Sequence, residues 1–245
     1  AEPWPGQRHM NMESMYEYGS RAGFWRLWRL FQRHQIPITV YGVAMALARN
    51  PDAVEAMKEA QWEIATHGFR WIEYRHMSRE EEKRHLEQAI QIHTEVTGER
   101  PLGWYLGRCT ENTRDLVMEE GGFLYDSDSY ADDLPYWVEG PSGSHLVIPY
   151  ALDTNDMRFA TSQGFNSGEQ FFNFLRDSFD VLYKEGEAGT PKMMSVGLHC
   201  RLVGRPARLA ALEKFIEYAK SHNKVWFPRR VDIARHWHSV HKPDH

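Results

Sequence analysis

Short apolar, β-branched runs alternate along this chain with longer stretches in which apolar residues recur every three or four positions. That alternation predicts βαβ units and a parallel sheet. Seven runs read as strands: Ile36 to Val43, Trp62 to Thr66, Leu102 to Tyr105, Phe123 to Tyr125, Leu146 to Tyr150, Met193 to Leu198 and Lys224 to Phe227. The helical stretches carry recognisable ends. Ser78 with Glu81 forms a capping box ahead of Glu82 to Thr97, because each side chain can satisfy a backbone N–H of the first turn. Asn50-Pro51 opens a helix toward Ala60, with proline where its missing N–H costs nothing. A helix from Thr110 or Asn112 toward Glu120 closes at Gly121-Gly122, where glycine accepts a left-handed turn. Further helices are expected over Ser20 to His34, Ser167 to Lys184, Arg205 to Ser221 and Arg229 to His238. The first places Phe24, Leu27, Trp28 and Phe31 on one face, read as core or subunit interface. The segment Asp126 to Ser144 shows no period and reads as a long loop.

Composition narrows the class. With 245 residues, 42% hydrophobic and 26% charged, the chain reads as one globular domain over residues 1–245. A net charge of -5 argues against a nucleic-acid partner. No run of eighteen apolar residues suits a membrane span, and the first residues lack the regions of a signal peptide. Two cysteines, Cys109 and Cys200, make no disulfide framework, so a cytoplasmic setting is expected.

In parallel α/β proteins the chemistry sits at the carboxyl ends of strands. Here those ends carry His67-Gly68, Gly107-Arg108, Asp126-Ser-Asp128, Asp153 to Asp156 and His199-Cys-Arg201. Imidazole exchanges protons near neutral pH, so His67 and His199, at equivalent ends of separate strands, are the candidates for acid or base work in one pocket. Asp126 and Asp128 also suit turns in which a carboxylate bonds its own backbone. His236, His238, His241 and His245 read as a solvated helix end and tail. Arg229-Arg230 with Asp232 reads as surface or inter-subunit ion pairs.

These residues bring a family into view. His67 at a strand end, Gly103-Trp-Tyr105 with Asn112-Thr113, Gly122 to Ser127, Ile148-Pro149 followed by Asp156, and Leu198-His199 resemble the motif succession of the polysaccharide-deacetylase (NodB-homology) superfamily. The resemblance covers nearly the whole chain. Residues 12–21, 134–137, 153–159 and 232–237 are similar to its allantoinase branch. The resemblance implies an irregular (β/α) barrel and a homotetramer that opens the small cyclic amide allantoin to allantoate. It also implies His199 as the acid that protonates the departing ring nitrogen, Asp156 as its orienting carboxylate, and His67 as a residue that polarises substrate or water. Arg108, Tyr105 and Asp126 are expected to contact substrate, with Trp71 and Trp104 as apolar walls.

Two departures from the deacetylase pattern matter. Deacetylases hold a divalent metal with one Asp and two His in a His-x-x-x-His motif, and Trp71 stands where the second His belongs. Indole is no metal ligand. The expectation is therefore catalysis with no metal and no cofactor. The chain also opens on a helix where the family opens on a strand carrying its acidic base motif, so that strand is expected to precede residue 1. A metal-dependent deacetylase or cyclic imidase and a catalytically inactive binding homologue are the other functions compatible with this pattern.

Overall fold

The computed structural model describes Trp4 and residues 6–243. His245 lies outside them. In chain order the helices and strands are α1 (Met10–Tyr18), α2 (Phe24–His34), β1 (Thr39–Gly42), α3 (Ala44–Ala48), α4 (Pro51–Glu59), β2 (Glu63–Thr66), α5 (Arg79–Thr97), β3 (Gly103–Trp104), α6 (Thr113–Glu120), β4 (Tyr125–Asp126), β5 (Tyr136–Gly140), β6 (Gly143–Val147), α7 (Gly168–Glu187), α8 (Pro206–Lys220) and α9 (Arg230–Val240). The chain divides into two compact units, residues 1–36 with 151–226 and residues 37–150 with 227–245. They are called the helical and the sheet unit below.

The sheet unit holds all six strands, in the order β1-β2-β3-β4-β6-β5. Every pair is parallel except the hairpin of β5 and β6. This is the α/β class expected from the alternation. Its helices bury apolar faces: Leu86 and Ala89 of α5 and Leu116 and Val117 of α6 close around Trp104 and Phe123. The capping box at Ser78 is present, and Gly121 ends α6 at φ +79°. First-turn residues of α9 meet the sheet. The Arg230 N–H donates to Thr39 Oγ1 at 2.7 Å and the Val231 N–H to Glu63 Oε2 at 2.8 Å.

In the helical unit the helix expected from Ser20 starts earlier. α1 runs through a π-helical turn at Gly19–Gly23 into α2. Leu27, Leu30 and Phe31 of α2 are buried, as are Phe171 and Leu175 of α7 and Leu212, Phe215 and Ile216 of α8. Gly23 backs directly onto residue 200: a Cβ there would lie 1.9 Å from the Cys200 carbonyl oxygen. Only glycine permits that approach.

Three expectations need correction. The segment Asp126 to Ser144 is not a loop throughout, because β5 pairs with β6 from Tyr136 opposite Val147 to Gly140 opposite Gly143. β5 is an edge strand without a buried residue, and its Tyr136-Trp137-Val138 run shows no alternation of buried and exposed positions on which a strand assignment could rest. Met193 to Leu198 forms no strand. Only Gly197 pairs, in a parallel bridge with Asn155. Lys224 to Phe227 forms no strand either, and its first residue, Lys224, adopts φ 60°, outside the extended region.

Candidate active site

In the helical unit, the bridge between Asn155 and Gly197 positions an acid-base pair. The Asp156 N–H donates to the Gly197 carbonyl at 2.9 Å, and the Gly197 N–H donates to the Thr154 carbonyl at 3.0 Å. Those bonds align residues 154–156 with residues 195–197, and the two segments end side by side at Asp156 and His199. Asp156 is fully buried and its carboxylate is saturated. Oδ1 lies 2.6 Å from His199 Nδ1, while Oδ2 accepts the N–H groups of His199 at 2.8 Å and Val203 at 2.9 Å. One carboxylate thus fixes both the ring and the backbone of the histidine. With Nδ1 engaged, Nε2 is the ring atom that can exchange a proton.

In the sheet unit, His67 follows β2 and Tyr105 follows β3. Their ring centroids are 5.1 Å apart. The Tyr105 ring is 4.9 Å from those of Tyr41 and Tyr150, and its hydroxyl is 3.0 Å from that of Tyr130. Burial raises the pKa of Tyr105 and pushes that of Tyr41 up to about 12, so these hydroxyls remain protonated donors at neutral pH. Gly68 at φ +73° and Gly107 at φ +71° turn the chain sharply after the two strands. Beyond those turns Arg108 stacks over the Trp71 ring at 4.2 Å, and Trp71 is 41% exposed. Trp104 lies in the core, edge-on to Phe123.

Asp126 is buried against a guanidinium and an imidazole. Arg114 donates to both its oxygens at 2.9 and 3.1 Å, and His145 Nε2 lies 3.2 Å from Oδ2. Burial alone would raise its pKa, but His145 and Arg114 outweigh burial and hold it below the usual carboxylate value. Its Oδ1 also accepts the Asp128 N–H at 2.9 Å, the turn geometry that a carboxylate two residues back makes with its own chain.

Arg230 departs from the expectation of surface or inter-subunit pairs. It is buried, and its guanidinium donates to Ser127 Oγ at 3.1 Å and to the carbonyls of Ile148 and Pro149. Arg229 does pair with Asp232, at 2.8 Å. Two adjacent arginines at a helix start give no sequence signal for which of them turns inward. Tyr41 and Tyr150 were missed for a related reason: they sit inside or at the end of strands, where aromatic residues ordinarily serve packing.

The deacetylase metal pattern does not fit these residues. The position four after His67 carries an indole, which offers no ligand atom, and the Arg108 guanidinium stacked on it opposes a second cation. Among the described residues, one group of three His, Cys, Asp or Glu has ligand atoms close enough to share an ion: His34, Glu213 and Glu217, on α2 and α8. There Glu213 is already paired with Arg33 at 2.6 Å and with His34 at 2.9 Å. No described helix is long and apolar enough to cross a membrane.

Known proteins bear on this geometry. The polysaccharide deacetylase family model matches residues 9–119. A Schizosaccharomyces pombe protein named as a polysaccharide deacetylase is 41% identical over 257 residues, covering 98% of this chain and 80% of that protein. A Pseudomonas aeruginosa PAO1 structure with the same family name superposes with a TM-score of 0.97 at 63% identity, covering 100% of this chain and 82% of that one. Puue allantoinase superposes equally well, with a TM-score of 0.97 at 64% identity over 99% of this chain and 81% of its own.

Proposed function

From the premise that this chain belongs to the polysaccharide deacetylase family, a family of hydrolases, we propose that it is an allantoinase that opens the hydantoin ring of allantoin with water and needs no metal. The observation that carries the substrate is the 64% identity to Puue allantoinase over 99% of the chain.

Ring opening requires water to lose a proton as it adds to the carbonyl carbon, donors for the oxyanion that forms, and a proton for the ring nitrogen as the C–N bond breaks. His199 delivers that proton from Nε2. Asp156 stabilises the imidazolium that gives up this proton and holds the neutral ring left behind as the Nδ1–H tautomer, whose Nε2 can take up a proton again. The buried tyrosine hydroxyls and Arg108 donate to the ring carbonyls and the ureido group. His67 polarises substrate or water, and Trp71 forms an apolar wall. Asp126, saturated by Arg114 and His145, acts by holding its neighbours in place. The working form is a cytoplasmic homo-oligomer, on the pattern of the allantoinase branch.

The test is hydrolysis of allantoin by the full-length protein with and without a chelator, beside His199→Ala. Turnover is expected to survive chelation and to fall by about 10²–10⁴ in the variant, the usual share of a positioned acid or base. Activity that vanishes with chelator and returns with zinc selects a metal-dependent deacetylase or imidase. Near-normal turnover by His199→Ala removes His199 from the reaction.

A further inference from the structure

Asp128 follows β4 in the sheet unit, and its carboxylate is directed at backbone. Leu106 donates its N–H to Oδ1 and Oδ2 at 3.1 and 2.9 Å, and Gly107 donates to Oδ1 at 2.7 Å. Those two N–H groups belong to the left-handed turn after β3, with Tyr105 on one side and Arg108 on the other. Asp128 is itself fixed. Its N–H is held by Asp126, and its carbonyl accepts from Arg114 at 3.1 Å. A continuous set of bonds therefore runs from Arg114 through Asp126 and Asp128 to the turn.

As a purely structural device this is costly. Burial pushes the Asp128 carboxyl up to about 7 even though it accepts from Gly107 and Leu106, and Asp126 adds like charge. The groups that face it are Asp126, Arg114, Tyr105, Tyr130, Tyr41 and the thiol of Cys109. Arg114 is the one cation among them, and it is already committed to Asp126. An uncharged acceptor could hold two N–H groups without that cost.

We infer that Asp128 is a positioning residue whose carboxylate, through the N–H groups of Leu106 and Gly107, sets the Tyr105 hydroxyl and the Arg108 guanidinium for substrate. The inference rests on the cyclic-amide activity proposed above. Ionised Asp128 grips the turn with both oxygens; the protonated acid has lost acceptor strength, so the grip loosens as pH falls through about 7.

The experiment combines allantoin kinetics between pH 5.5 and 9 with amide exchange on the full-length protein. Asp128→Ala is expected to raise KM about tenfold with kcat little changed, as loss of uniform binding does. Asp128→Asn keeps an acceptor in place and should stay within about threefold of wild type at pH 8, and its KM should not climb below pH 7 as the wild-type KM does. Because Asp128 acts through the turn, Arg108→Ala with Asp128→Ala should cost less than the sum of the two single losses. Exchange at the amides of Leu106 and Gly107 should speed up in Asp128→Ala and nowhere distant. Additive losses, equal pH profiles for wild type and Asp128→Asn, or unchanged exchange at those amides would overturn the inference. If Asp128→Ala does not fold, Asp128→Asn at pH 6 against pH 8 carries the test by both readouts. A wild-type protein that leaves allantoin untouched defeats the proposed function instead, and the exchange result still decides the role of Asp128 in the turn.

Discussion

His199 and His67 are the same residue type, each just beyond a strand-like segment, yet their surroundings differ in kind. His199 has a fully buried carboxylate on Nδ1 and on its own N–H. His67 packs against the rings of Tyr105 and Tyr41, with centroids at 5.1 and 6.4 Å. A carboxylate on one nitrogen fixes the tautomer and stabilises the charged ring, which suits repeated proton transfer. Phenol rings supply neutral donors and flat apolar surface, which suit binding of an uncharged cyclic amide. On the proposed reading, His199 moves the proton and His67 with its neighbouring tyrosines holds the ring. Variants that cost kcat should cluster around the first histidine and variants that cost KM around the second.

The strongest challenge to that division is Asp156→Asn. The shape is kept, but an amide no longer favours the Nδ1–H tautomer, and kcat should fall by about a hundredfold or more with KM nearly unchanged. A rise in KM alone would show that the pair binds substrate and does not transfer protons. Next comes Gly23→Ala, which places a methyl carbon 1.9 Å from the Cys200 carbonyl oxygen, one residue beyond His199. Either the helix or the 199–204 turn must shift. Overpacking of this kind costs about 1–3 kcal/mol, readable as a lower denaturation midpoint. The same variant should lower kcat, because the turn that moves carries His199.

How much of this could be read along the chain follows from what each residue depends on. The alternation of apolar runs and helical stretches, the capping box at Ser78 and the glycine stop at Gly121 are local, and each appears in the structure where its own residues put it. β5 was hidden because an edge strand needs no alternating apolar face. Met193 to Leu198 has the composition of a strand, but only Gly197 finds a partner. At the site, the pairing of Asp156 with His199 was accessible through family resemblance and strand-end placement. The inward turn of Arg230 and the grip of Asp128 on residues 106 and 107 were not. Both depend on which backbone groups lie opposite across the sheet, and that is a property of register.

Within the sheet unit, Tyr105→Phe sharpens the comparison at lower amplitude. The variant keeps the ring among Tyr41, Tyr150 and His67 and removes the hydroxyl that meets Tyr130. Loss of one neutral hydrogen bond to substrate should raise KM by about tenfold or less and leave kcat within a factor of about three. A fall in kcat that exceeds the change in KM would mean that this hydroxyl meets the oxyanion, and the division between the two regions would fail on the binding side.

The smallest effect on rate is expected at a third histidine, His93 on α5, which sets the baseline for one that only packs. It is 1% exposed, and burial lowers its pKa from 6.5 to about 4. Below pH 6.5 the unfolded chain takes up a proton that native His93 refuses. The stability His93 contributes is therefore complete above about 6.5 and is lost as pH falls from there through about 4. His93→Gln removes that titration and should flatten the stability profile over this window, measured by urea midpoints at several pH values, while kcat and KM at pH 8 stay at wild-type values. A rate change at pH 8 without a matching loss of stability would mean that rate effects are not confined to the two regions, and the contrast between His199 and His67 would lose its baseline.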